Sequence, residues 1–165
     1  METIHDVLLG SAVGRYLFPL LLLGIANTAP WLAALIFGSE FAAPLDCRIT
    51  FRDGSRLLGD HKTWRGLVSA AVACGAMTQS FGLGFFRGAA FGTLALLGNA
   101  AASFVKRRMR LAPGTELLGL DQLPEAVVPL LILQRPLGLG FGECLVIAAI
   151  FAALDVVVTK LRHLR

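Results

Sequence analysis

Three stretches of this chain, residues 16–37, 67–86 and 88–105, carry no charged side chain at all. Each approaches or exceeds the ~20 apolar residues that a helix needs to cover the hydrocarbon core of a bilayer. A fourth stretch, 139–158, is interrupted only by Glu143 and Asp155, and a shorter one, 124–136, is broken by Pro129 and Pro136. A soluble domain of 165 residues has no use for so many helices without a polar face. Hydrophobic residues make up 56% of the chain and the mean hydropathy is +0.71. The pattern predicts an all-α integral membrane bundle of about five helices, built as one domain over residues 1–165.

Charge then orients the bundle. If all five segments cross, twelve of the fifteen Lys and Arg residues collect on one side, leaving Arg15, Arg87 and Arg135 on the other. The positive-inside rule puts that basic side, with both long polar loops and the C-terminus, in the cytoplasm and the N-terminus outside. The first six residues are acidic and the basic residues follow the first run, which predicts a retained first span rather than a cleaved signal. A multi-pass protein of the cell membrane is therefore expected. The net charge of +4 is accounted for by this topology and by anionic headgroups, without nucleic acid as a partner. Three cysteines without a paired spacing offer neither a disulfide framework nor a zinc site.

Within the apolar frame, Gly84, Gly88 and Gly92, and later Gly138 and Gly142, recur every four residues. That spacing places small residues on one helical face and permits close packing within the chain or in a homo-oligomer. Asn27-Thr28-Ala29-Pro30 sets an amide and a proline at membrane depth, either as a locally satisfied kink or as a lining of the polar centre.

The polar residues concentrate in two loops on the predicted cytoplasmic face. The first contains Asp53-Gly54 and Gly59-Asp60-His61-Lys62-Thr63-Trp64-Arg65-Gly66; the second runs from Ser103 through Lys106-Arg107-Arg108 to Asp121 and Glu125. A Walker A reading fails, because Asp60 and His61 intrude between Gly59 and Lys62 and no strand precedes the loop. The residue types nonetheless suit phosphates. Guanidinium groups bind phosphate oxygens bidentately and lysine acts as a point charge. Asp46, Asp53, Asp60, Asp121 and Glu125 offer the oxygen ligands that Mg²⁺ takes together with phosphate. Taken alone, a basic cluster such as 106–110 is more often a topology signal, His61 more often a solvated loop residue, and Asp121 and Glu125 could equally cap the next helix. Asp155, near the cytoplasmic end of the last span, is a functional candidate because ionisable groups are costly there, or it pairs with a neighbouring cation.

Taken in order, Asn27-x-x-Pro30, Pro44-Leu45-Asp46, Asp53-Gly54, Gly59-x-x-Lys62-Thr63-Trp64-Arg65-Gly66, Gly98, Ser103-Phe104-x-Lys106-Arg107-Arg108 and Asp121-Gln122 resemble the CDP-archaeol synthase family, relatives of the membrane CDP-diacylglycerol synthases. The resemblance implies a membrane cytidylyltransferase in which a phosphorylated lipid attacks the α-phosphate of CTP with Mg²⁺ assistance, giving a CDP-activated lipid and pyrophosphate. It implies catalytic roles for Lys62, Lys106, Arg107 and Asp121. Asn27, Asp53, Thr63, Arg65 and Arg108 would bind substrate, and Asp121, Asn99 and Glu125 would hold metal. Two positions depart from the family pattern. Asn99 stands where an aspartate is usual, and Pro124-Glu125 follow Asp121-Gln122-Leu123 where the archaeal members read Asp. The first departure raises the alternative of a catalytically impaired relative that binds nucleotide or anionic lipid without turnover. A transporter is disfavoured, since the polar residues gather on one face.

Overall fold

The computed structural model describes residues 11–111, 117, 119–120 and 122–163. Asp121 therefore lies outside the described residues, as do the acidic N-terminal residues. The described chain forms five helices: α1 (Ala12–Phe37), α2 (Trp64–Ser80), α3 (Phe85–Arg108), α4 (Gln122–Ile132) and α5 (Phe141–His163). Among the described residues the only β pairing is two isolated bridges, Pro44 with Thr63 and Thr50 with Arg56.

Three segments, Val13–Phe37, Phe85–Arg108 and Phe141–Val158, are long and apolar enough to cross a membrane. The 17 residues of α2 rise about 25 Å. The 11 residues of α4 rise about 16 Å, roughly half the thickness of a hydrocarbon core. The fourth expected segment is thus shorter than 124–136: its helix ends at Ile132, and the chain continues in turns to Leu139.

The helices hide one stripe each and leave the rest apolar. Phe18, Leu22, Phe91, Leu130, Ile147 and Phe151 meet in a single core. Leu17, Leu35, Ile36, Phe86 and Leu154 point outward, an arrangement suited to a hydrocarbon surround rather than water. At the end of the bundle remote from the long loops, Arg15 pairs with Glu143 at 3.4 Å, and Glu143 also accepts from the Gly140 amide. This joins the start of α1 to the start of α5.

The uncharged runs 67–86 and 88–105 imply a turn at Arg87 between them, but the turn between α2 and α3 falls at 81–84 and Arg87 lies inside α3. Gly82 and Gly84 take positive φ there, the Thr78 hydroxyl donates to the Gly84 carbonyl at 2.9 Å, and the Gln79 side chain accepts from the Phe85 amide. These bonds use up backbone groups that a helix end leaves unpaired. Gly84 thus serves the turn rather than a packing stripe. Gly138 likewise has positive φ with open space around it, as has Gly142 at ordinary φ.

The close approach predicted from the glycine spacing occurs at Gly88 and Gly92. A Cβ on Gly88 would lie 2.1 Å from the Cys74 carbonyl oxygen, and one on Gly92 would lie 2.4 Å from that of Ala70. Helices α2 and α3 are therefore in backbone contact within one chain. Gly92→Val should lower the thermal midpoint of the detergent-solubilised protein by the equivalent of about 2 kcal/mol or more, the usual cost of overpacking. Gly142→Ala, with open space at its Cβ, should leave the midpoint unchanged.

Candidate functional site

The loop between α1 and α2 is folded around one carboxylate. Asp46 is buried, with its side chain fully enclosed. Its Oδ1 accepts from Arg56 Nη2 at 2.7 Å and from the Arg48 amide, and its Oδ2 accepts from Arg56 Nε and from the Leu58 and Gly59 amides. The Arg56 guanidinium holds the Asp46 carboxyl well below the usual carboxylate range; burial opposes the shift, and the three backbone amides reinforce it. Both oxygens are consumed, so Asp46 is a structural hub and not the free oxygen ligand expected from its residue type.

That hub sets the following turn. Gly59 has a φ of +95° and carries the Arg107 guanidinium directly against it, 2.9 Å from where a Cβ would stand. The Leu45 amide then donates to the Lys62 carbonyl and the Trp64 amide to that of Ala43, fixing Lys62 between two short extended pieces. The Thr63 hydroxyl accepts from the Gly66 amide and caps α2. Gly66 rests on Pro30, so the first turn of α2 meets α1 at its internal proline.

Lys62 reaches inward to the site's centre. Its Nζ donates to Asn99 Oδ1 at 2.5 Å, and Asn99 Nδ2 donates to Glu125 Oε2 at 2.7 Å. Asn99 lies nine residues before the end of α3, about 14 Å deep by helical rise. Glu125 is 2% exposed, and among the described residues its Oε1 has no hydrogen-bond partner. The approach of α4 that makes this contact depends on Gly98, where a Cβ would lie 2.1 Å from the Pro124 carbonyl oxygen. A cavity of about 380 Å³ opens onto Lys62, Asn99 and Glu125, with Ala26, Pro30 and Trp31 of α1 as an apolar wall. Asn27 also lines it, next to the Glu125 carboxyl. A second cavity, of about 540 Å³, is walled by Arg56, Arg107, Arg110 and Asp53. Asp60 and His61 line both.

The structure thus brings Lys62, Asn99, Glu125 and Asn27 together and puts Arg107 on the adjoining cavity. The other cations have structural engagements. Arg65 Nη1 donates to the carbonyls of Gly38 and Glu40, closing the end of α1, although the residue also lines the inner cavity. The Arg108 guanidinium sits over the rings of Phe51 and Phe104 at 4.7 and 4.9 Å, pairs with Asp53 at 3.1 Å, and donates to the Arg56 carbonyl. It clamps the first loop to the end of α3, and Asp53 orders that loop, also accepting from the Ser55 amide. Lys106, half-buried on the same turn, stands outside the two linings.

As a metal ligand, Asn99 does not fit, since both ends of its amide are committed. Glu125 fits as one hard oxygen ligand through its buried Oε1, which has no partner among the described residues. Glu125 makes no capping contact among the described residues, accepting from Asn99 instead, and the Gln122 side chain ties the start of α4 to the preceding turn, its Oε1 accepting from the Gly119 amide. The hub role of Asp46 and the placement of Arg56 and Arg110 escaped sequence reasoning. No local spacing signals a bond across ten residues of loop.

Apolar helices around a part-buried lysine–amide–carboxylate chain, reached from one end of the bundle, define an intramembrane protein with an internal polar site. Similarity to known proteins is consistent with that class. The CDP-archaeol synthase of Thermofilum pendens is 35% identical over 140 residues, covering 81% of this chain and 67% of that protein. That of Pyrococcus furiosus is 36% identical over 107 residues, covering 59% and 60%. This chain therefore spans about three fifths of the length of the Pyrococcus protein. A solved intramembrane enzyme for archaeal membrane lipids biosynthesis superposes with a TM-score of 0.70 at 29% identity, covering 86% of this chain and 90% of that one. The family model for CarS-like CDP-archaeol synthase matches residues 13–85 and 75–164. The chain belongs to the CarS-like CDP-archaeol synthase family.

Two outcomes test the site geometry. The depressed Asp46 carboxyl contributes stability that is complete above its unfolded value near pH 4 and is lost only as pH falls through its lower folded value. The 46–63 loop should therefore resist an acid-active protease at pH 5, whereas Asp46→Ala, losing about 2 kcal/mol of charged hydrogen bonding, should be cut there. Asn99→Asp turns the donor facing Glu125 into an acceptor and sets two carboxyl groups against each other. It should lower the thermal midpoint of the detergent-solubilised protein at neutral pH by the equivalent of about 1 kcal/mol or more, and by less at acid pH where one carboxyl is protonated.

Proposed function

We propose that this chain is a CTP-dependent cytidylyltransferase that converts a phosphorylated membrane lipid into its CDP-activated form and releases pyrophosphate. The observation that carries the reading is the Lys62–Asn99–Glu125 chain at the inner end of a cavity with one apolar and one cationic side. A substrate with a phosphate on an apolar body suits that cavity: the phosphate meets Lys62, and the apolar portion lies along Ala26, Pro30 and Trp31. The adjoining arginine-walled cavity suits a triphosphate.

An oxygen of the lipid phosphate forms a bond to the α-phosphorus of CTP as the bond from that phosphorus to the β-phosphate oxygen breaks, and pyrophosphate leaves with that electron pair. Such a displacement needs in-line placement and charge neutralisation more than covalent help. Lys62, held by Asn99, supplies a fixed cation, and Arg107, seated on Gly59, supplies a second beside the adjoining cavity. Glu125 is the residue that would hold Mg²⁺ through Oε1, with Asp121 as the family-based second carboxylate. Mg²⁺ supplies neutralisation of phosphate charge when bound. Asn99 is bonded on both sides rather than left in a void, so no observation favours an impaired relative.

In this reading the protein is a single, multi-pass domain of the cell membrane. Its arginine-rich loops face the cytoplasm, where CTP is available, and its N-terminus lies outside.

Purified protein in lipid, given radiolabelled CTP, Mg²⁺ and a panel of phosphorylated lipids, should transfer label to the organic phase. Lys62→Ala should lower that rate by about 100-fold, the scale for removing a preorganised charge contact, while still inserting into membranes. Absence of labelled lipid from the unaltered protein, or full activity in the Lys62→Ala variant, would overturn the assignment.

A further inference from the structure

Asp155 and Gln122 belong to neither cavity, yet they are tied to the residue that does the most there. Gln122 is buried at the start of α4, and both ends of its amide are engaged. Its Oε1 accepts from the Gly119 amide at 2.9 Å, while the Gly119 carbonyl accepts from the Leu123 amide. The two bonds tie the turn at 119–120 to the first residues of α4. Its Nε2 donates to Asp155 Oδ2 of α5 at 3.1 Å. Because an amide has one donor end and one acceptor end, an acceptor on α5 decides which end faces the Gly119 amide. Without Asp155 the amide is free to turn over, and a buried donor loses its partner.

Glu125 stands three residues beyond Gln122, on the same helical face. The place of Gln122 therefore sets the height and rotation at which Glu125 meets Asn99 and presents Oε1 to the cavity. We propose that Asp155 is a positioning residue: through Gln122 it holds the first turn of α4, and so fixes Glu125 in the site. The inference rests on the transferase reading for its kinetic consequence, though not for the contact itself.

The test uses Asp155→Asn, Asp155→Ala, Gln122→Leu and the Asp155→Ala, Gln122→Leu double variant of the full chain, assayed for CDP-lipid formation from labelled CTP. Asp155→Asn keeps the acceptor and removes the charge that Glu125 feels, so it separates positioning from electrostatics. Asp155→Ala should lower kcat about tenfold with the KM for CTP little changed, a loss of the size expected for a slightly misplaced catalytic group. Asp155→Asn should restore most of that loss, and the double variant should be no worse than the poorer single.

Equal damage from Asp155→Asn and Asp155→Ala, multiplicative losses in the double variant, or full activity of Asp155→Ala would each overturn the proposal. Thermal midpoints of these four variants and of the unaltered protein need no turnover: non-additive losses support the Gln122–Asp155 coupling, and additive ones overturn it. If the unaltered protein made no product, the transferase reading would fall by itself, and the thermal cycle would still decide the coupling.

Discussion

The site exists because α3 touches its neighbours backbone to backbone. Gly88 and Gly92 let it meet α2, and Gly98 lets it meet the Pro124 carbonyl at the start of α4. In a lipid surround, helices gain little from hydrophobic exclusion and associate through close packing and internal polar contacts. Here the two devices coincide. The contact that admits α4 at Gly98 is one residue from the amide that bonds Glu125. A side chain at Gly98 would push α4 away and separate Asn99 from its carboxylate.

The second requirement is a loop stiff enough to deliver a flexible lysine to a fixed point. Lysine carries a large rotamer entropy, and a free one would spend little time near Asn99. The Asp46 carboxylate, with five hydrogen bonds, orders the chain from Arg48 to Gly59, and the 43–45 and 62–64 backbone contacts hold Lys62 beyond it. Arg108, pressed against Phe51 and Phe104, ties the same loop to the end of α3. Several of the cations that make the loop look like a phosphate site are thus its internal framework. In the proposed reaction the phosphate contacts therefore fall mainly to Lys62 and Arg107.

Fold class was legible because an uncharged run of about twenty residues has few fates. Helix positions were legible within a few residues, and the errors fell where turn chemistry decides: the glycine turn at 81–84 and the end of α4 at Ile132. The residues at the site were legible as a group. Their individual engagements were not. Thr63 and Arg65 read as substrate ligands and do line the inner cavity, yet Thr63 also caps α2 and Arg65 also closes α1. Asn99 reads as a weakened metal ligand and serves as the bond between Lys62 and Glu125.

What the sequence by itself determined is the solvent, the helices and the chemical palette: apolar runs require lipid, and cations interleaved with carboxylates imply phosphate. Residue type carries that information without regard to neighbours. Only the tertiary structure decided which charge is spent on the loop and which faces the inner cavity. Arg56 and Lys62 are six residues apart in one loop, yet one is locked to Asp46 and the other directed at Asn99. That division depends on distances of about 3 Å between segments far apart in the chain, and hydrogen bonding falls off steeply beyond them.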